Sequence, residues 1–168
     1  QNEIPIPISM AAARHARNTG VRVVWDPAPV RDLPPDAFNV IDVMTPNETE
    51  ATALTGVHVA DPASARTAAE ILLSRGVRLA IVKLGGQGVC YATADESGHV
   101  QAFAVDVVDT VAAGDAFGAA LAVALSEGQG LRDAVHYGTA AGALAVTRPG
   151  AQEAMPGRHE VEALLARL

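Results

Sequence analysis

Apolar residues fall along this chain in two rhythms. Short runs rich in β-branched residues occur at Val21–Trp25 (VRVVW), Val40–Met44 (VIDVM) and Leu79–Leu84 (LAIVKL), the pattern of buried strands. Gly88–Thr93 and Val100–Val107 predict two further strands about a turn at Glu96-Ser97-Gly98. The longer rhythm is helical. Ser9–Asn18 is alanine-rich, can be capped by Ser9 and ends at Thr19-Gly20. Asn47 opens a short helix that stops near Gly56. Asp61 caps another, with Pro62 at the first helical position, and it runs to Arg75-Gly76. Two alanine-rich helices follow, Gly114–Ser126 and Leu131–Ala145, then a loop over Thr147–Pro156 and a last helix over Glu160–Leu168. Asp26-Pro27-Ala28-Pro29 and Thr45-Pro46 interrupt regular structure just after two of the strands.

Strands alternating with helices in this way predict an α/β fold, a three-layer sandwich with a mostly parallel sheet flanked by helices. No repeat and no linker divides the 168 residues, so one domain over 1–168 is expected. Aromatic residues make up only 4% of a chain that is 49% hydrophobic. The core must therefore be built from Ala, Val, Leu and Ile, which favours close helix-on-sheet packing.

Charge narrows the function classes. The formal net charge is −7 and Lys83 is the sole lysine, so neither a nucleic-acid footprint nor a polybasic membrane patch is expected. No apolar run is long enough to span a bilayer. The single cysteine, Cys90, excludes an internal disulfide and a cysteine-rich metal site. With no signal peptide in view, a cytoplasmic setting is expected. His15, His58, His99, His136 and His159 share no metal-ligand spacing and read as surface or local structural residues.

The chemistry concentrates in Asp109-Thr110-Val111-Ala112-Ala113-Gly114-Asp115-Ala116-Phe117, where small residues run into a helix start. The first amides of a helix lack internal partners and carry the positive end of the macrodipole. Ala112, Ala113 and Gly114 leave that backbone open to an anion such as phosphate. Asp115 would repel a resting phosphate but suits a base that takes the proton of an attacking hydroxyl. Taken alone, Asp115 reads first as an ordinary acidic residue of a first helical turn; the full nine-residue string is what points to the base.

DTVAAGDAF resembles the C-terminal signature of the PfkB carbohydrate kinase family, DTxGAGDxF, with Ala112 where Gly is common. TPNETE (45–50), LGGQG (84–88) and AVTRPGA (145–151) match the family in the same order, and together the matches cover nearly the whole chain. The match is to the ribokinase branch and to its C-terminal half. The substrate-binding Gly-Gly region and the small β-sheet lid, which forms the dimer contact in that branch, have no counterpart here.

The resemblance implies an ATP-dependent kinase that phosphorylates a primary hydroxyl of a pentose, ribose above all. Other PfkB substrates, and a non-catalytic nucleotide-binding module, stay open as alternatives. It implies that 1–168 is the ATP-binding and catalytic part, poorly active alone, of a full-length homodimer. Asp115 would be the base, with Ala112, Ala113 and Gly114 as the anion hole. Asn47 and Glu50 match the NxxE motif, implied to place Mg²⁺ and phosphates, though the pair equally suits a capping box. Lys83, Leu84, Gly85, Gly86, Gln87 and Gly88 would line the nucleotide; a plain turn is the alternative. Thr139 would contact the nucleotide or be an ordinary helix-surface threonine. Asp109, Val111, Ala145, Arg148, Gly150 and Ala154 would hold a monovalent cation, K⁺, mostly through carbonyls. Glu3 would contact the sugar or be solvated.

Overall fold

The computed structural model describes residues 1–167, which form two compact units, Gln1–His99 and the residues from Val100 onward. The first unit holds helix α1 (Ile6–Asn18), strands β1 (Val24–Trp25) and β2 (Val43–Met44), helices α2 (Glu48–Thr55) and α3 (Pro62–Ser74), and strands β3 (Leu79–Lys83) and β4 (Val89–Ala92). Strand β5 (Ser97–Val100) completes a sheet of order β1-β2-β3-β4-β5.

The first three strands run parallel, with Val24 opposite Val43 and Met44 opposite Ala80. The sheet turns antiparallel at β4, where Ile81 faces Tyr91. The expectation of a mostly parallel sheet thus becomes a mixed one. Only Leu84–Gly88 joins β3 to β4, and a parallel crossover needs a dozen residues or more. Leu79, Ala80, Ile81 and Val82 are all buried, as a central strand requires. Helix α3 buries Ala65, Ala68, Ala69 and Leu72, spaced along one face, and packs on β3 and β4. Trp25, Ile41, Met44 and Val82 belong to the same core.

Several boundaries differ from the sequence expectation. Helix α1 starts at Ile6 rather than Ser9, because Pro7 falls in the first turn, where a missing N–H costs nothing. Strands β1 and β2 are shorter than expected, and Pro35–Val40 winds into a 3₁₀ turn. The expected turn at Glu96-Ser97-Gly98 lies earlier, where the Thr93 hydroxyl accepts the N–H groups of Asp95 and Glu96 at 3.2 and 3.1 Å. Ser97 and Gly98 are in β5, and no strand forms over 101–107. Gly98 suits that place because a Cβ there would lie 2.5 Å from the Tyr91 hydroxyl.

The second unit contains helices α4 (Ala113–Ser126), α5 (Leu131–Ala145) and α6 (Arg158–Leu165). Helix α6 starts at Arg158, ahead of the expected Glu160; Leu168 lies outside the described residues. Helices α4 and α5 pack along much of their length. Gly138 and Gly142 allow this: a Cβ at Gly138 would lie 3.0 Å from the Phe117 ring, and one at Gly142 3.2 Å from the Ala113 carbonyl. Ala112 caps α4 with φ 62° and ψ 3° and is the one non-glycine residue of positive φ among the described residues. No described helix is long and apolar enough to cross a membrane.

Two outcomes follow from this packing. Gly142→Val drives methyl groups into the Ala113 carbonyl and is expected to lower stability by about 1–3 kcal/mol, read as a lower urea midpoint. Ala112→Gly removes a left-handed alanine and is expected to raise stability by about 1 kcal/mol in the same measurement.

Candidate functional site

In α/β sheets, ligands settle beyond the carboxyl ends of parallel strands. Here that edge is polar. Asp26 follows β1, Thr45 follows β2, and Lys83 ends β3. The Lys83 ammonium donates to Asp26 Oδ2 at 2.8 Å, and its backbone N–H donates to the Pro46 carbonyl at 2.8 Å, which brings Asn47 alongside. Asp26 Oδ1 and Thr45 Oγ1 are buried without a hydrogen-bond partner. Such groups are costly and uncommon in folded proteins. In the sequence both residues are marked only as a polar side chain directly after a buried strand.

Asn47 and Glu50 close a capping box on α2. Asn47 Oδ1 accepts the Glu50 N–H at 2.9 Å and Glu50 Oε2 accepts the Asn47 N–H at 2.8 Å. The Asn47 amide also donates to Glu50 Oε1 at 3.0 Å. Glu50 is nonetheless buried, at 6% exposure. That burial pushes its carboxyl above the usual range; the Asn47 N–H opposes this, Asp26 and Glu48 add to it, and Lys83 works against it. Glu50 thus feels two further carboxylates, Asp26 and Glu48, against one ammonium, Lys83. This oxygen-rich edge fits a hydrated Mg²⁺, which takes few protein ligands and retains water. Among the described residues no three carboxylate, imidazole or thiol side chains converge as a direct ligand set, so such a fit runs through water.

Beyond β3 the chain makes a glycine turn. Gly85 and Gly88 have φ of +51° and +90°, values that L side chains rarely adopt. Leu84 donates to the Gly88 carbonyl at 2.8 Å, and nothing lies within 4 Å of a Cβ placed on Gly86. The Leu84 side chain is in the core, and the Gln87 amide is tied to the Ala60 carbonyl at 3.0 Å. What this turn offers a ligand is open backbone at Gly85 and Gly86. His99, expected as a local structural residue, bonds the Gln87 carbonyl at 2.7 Å.

In the second unit, Ala112–Asp115 lies at the start of α4 and not in mid-helix. The Ala113 N–H makes a long 3.4 Å bond to the Thr110 carbonyl. The Gly114 and Asp115 N–H groups meet no protein acceptor among the described residues, and the Asp115 side chain is exposed. The loop ahead of this tip is braced. Asp109 accepts the N–H groups of Val111 at 3.0 Å and Gly150 at 3.1 Å, which hold its carboxyl below the usual range. The Val146 carbonyl accepts the N–H groups of Val108 and Asp109.

The structure thus brings Asp109, Val111 and Gly150 into one pair of bonded loops, beside Ala145 at the end of α5. The Arg148 side chain pairs with Glu160, and Ala154 is buried in a 3₁₀ turn. Thr139 is not on the helix surface: it is buried, and its hydroxyl donates to the Val135 carbonyl at 2.8 Å. Glu3 is exposed, whereas its neighbour Asn2 is fully buried. Asn2 donates to the Pro27 and Pro29 carbonyls and accepts the Trp25 indole N–H at 3.0 Å.

Known proteins share both sequence and fold with this chain. Residues 1–158 match the family model described as pfkB family carbohydrate kinase. A ribokinase of Haemophilus influenzae is 41% identical over 160 residues, covering 95% of this chain and 52% of that protein. The crystal structure of Thermotoga maritima ribokinase superposes with a TM-score of 0.89 at 44% identity, over 99% of this chain and 55% of that one. Arabidopsis thaliana ribokinase, solved with ribose and ATP, gives 0.91 at 34% identity, over 97% and 53%. The chain spans about half the length of the curated relatives it matches. Its α/β fold is ribokinase-like, and the chain belongs to the pfkB family of carbohydrate kinases.

Proposed function

We propose that residues 1–168 form the C-terminal, ATP-binding and catalytic part of an ATP-dependent sugar kinase. Its reaction is phosphoryl transfer to the primary hydroxyl of a pentose, ribose above all. The observation that carries this reading is the tip of α4, where the Gly114 and Asp115 amides lack acceptors among the described residues and an exposed carboxylate stands beside them. Phosphoryl transfer asks a protein for little covalent chemistry. It needs positioning, and donors aimed at charge on the transferring group. The helix start that Ala112, Ala113 and Gly114 keep free of large side chains supplies the donors, chiefly the open Gly114 and Asp115 amides, and the Asp115 carboxylate accepts the proton of the attacking hydroxyl.

In the first unit, Asn47 and Glu50 place water about Mg²⁺, with the orphaned oxygens of Asp26 and Thr45 as further acceptors. When bound, Mg²⁺ neutralises charge on the nucleotide phosphates. Lys83 and the open backbone of Gly85 and Gly86 serve the nucleotide. Asp109 holds the 109–111 and 148–150 loops so that their carbonyls can receive K⁺. The ATP and ribose held by the Arabidopsis ribokinase, and the potassium in phosphofructokinase-2 of Escherichia coli at 25% identity and TM-score 0.83, support these choices. Glu3 keeps its place as the proposed sugar contact, since its side chain is exposed. The burial of Thr139 gives it no open surface, and it is left out of the proposed nucleotide site.

Two measurements test this. In the full-length kinase, Asp115→Asn is expected to lower ribose-dependent ATP consumption by about 10²–10⁴-fold while ATP still binds. An unchanged rate removes Asp115 from the mechanism. For the chain alone, Mg²⁺ at about five times its dissociation constant contributes about 1 kcal/mol. That is a rise of about 2–4 °C in Tm at this chain length. Glu50→Gln is expected to abolish the rise, as read by differential scanning fluorimetry.

A further inference from the structure

Three of the twelve Lys and Arg residues, Arg17, Arg22 and Arg78, line one depression of about 260 Å³ together with Gly20, Val21 and Asp42. It lies at the amino ends of the parallel strands: Val21 leads into β1, Asp42 precedes β2, and Arg78 precedes β3. Asp26, Thr45 and Lys83 stand at the opposite ends of those strands. A chain of net charge −7 has gathered positive charge here against its own average.

Asp42 does not neutralise that charge. Its side chain is 13% exposed and already committed. Oδ2 accepts the Val23 N–H at 2.8 Å, while Oδ1 faces the guanidinium of Arg17 at 3.1 Å and that of Arg78 at 3.3 Å. One carboxylate among three guanidiniums leaves a formal excess of two positive charges. Each guanidinium carries five N–H donors, so among the described residues most of those at Arg17 and Arg78 have no partner. Arg22 makes no side-chain hydrogen bond to protein among the described residues. The carbonyl ends of α1 and α3 also lie at these strand ends and favour some positive charge there. They account for a cation at each helix end but not for convergence on one concave site. Asp42 works instead as a brace that holds two planar donors.

We propose that this depression binds a phosphate group, either inorganic phosphate or a phosphate monoester. A phosphate dianion matches the excess charge, and guanidinium forks match its oxygens two at a time. The proposal stands apart from the kinase reading, because it uses none of the residues assigned to that site.

The test is an amide NMR titration of the 168-residue chain with inorganic phosphate, with chloride holding ionic strength constant. A second arm uses glycerol phosphate. Saturable shifts at Arg17, Gly20 to Val23, Asp42 and Arg78 are expected in the millimolar range. Tighter binding of the ester assigns the site to phosphorylated metabolites, and equal binding assigns it to the phosphate group alone; either supports the proposal. Arg22→Gln, which leaves the Asp42 brace intact, and Arg22→Gln with Arg78→Gln are each expected to weaken binding, the double variant by about tenfold or more. The proposal is overturned by shifts that do not saturate, by shifts confined to Gly114 and Asp115, or by equal affinity in a folded double variant.

Discussion

A helix begins with amides that have no carbonyl behind them, and something must answer them. At α2 and α3 a side chain does so: Asn47 and Asp61 fold back onto the third helical N–H. At α4 nothing does. Ala112 has no side-chain oxygen, and the residues that follow are too small to cover the backbone. The tip therefore stays uncapped, and an alanine is held in the left-handed region to form it. Gly142 lets α5 pass against the first carbonyl of α4, and Asp109 ties the approach loop to the loop after α5. Much of the second unit reads as support for those open donors.

The first unit solves a different problem by the same logic. Its parallel strands are covered and apolar, yet Asp26, Thr45 and Lys83 stand directly at their carboxyl ends. Two of their oxygens are buried and unpaired, and a nearby carboxyl is pushed up by burial. A fold whose other buried polar groups are well satisfied, such as Asn2, leaves this debt in one place. The capping box at Asn47 and Glu50 and the proposed role toward Mg²⁺ are not rivals. The box fixes the Asn47 and Glu50 side chains in position, and burial raises the cost of charge on Glu50.

Much of this was legible in the chain. Strand and helix existence followed from apolar periodicity, and the α4 tip followed from a run of small residues before a helix. What failed was local. Val100–Val107 has strand composition, but β5 forms over Ser97–Val100, where Gly98 makes room for Tyr91. Thr139 reads from the sequence as a nucleotide contact or a surface threonine; in the fold it lies on the buried side of α5 and returns its hydroxyl to its own helix.

By itself, then, the sequence determined which segments are helix or strand, where a bare helix start would stand, and that the chain carries the ordered motifs of one kinase family. These properties are local, set by side-chain size, backbone preference and periodicity. Only the tertiary structure decided that the sheet reverses at β4, that Asp26 and Thr45 hold orphaned oxygens, and that Arg17, Arg22 and Arg78 share one depression. Burial and the meeting of charges depend on which surfaces pack together, and residues far apart in the chain acquire those surroundings only when the strands come into register.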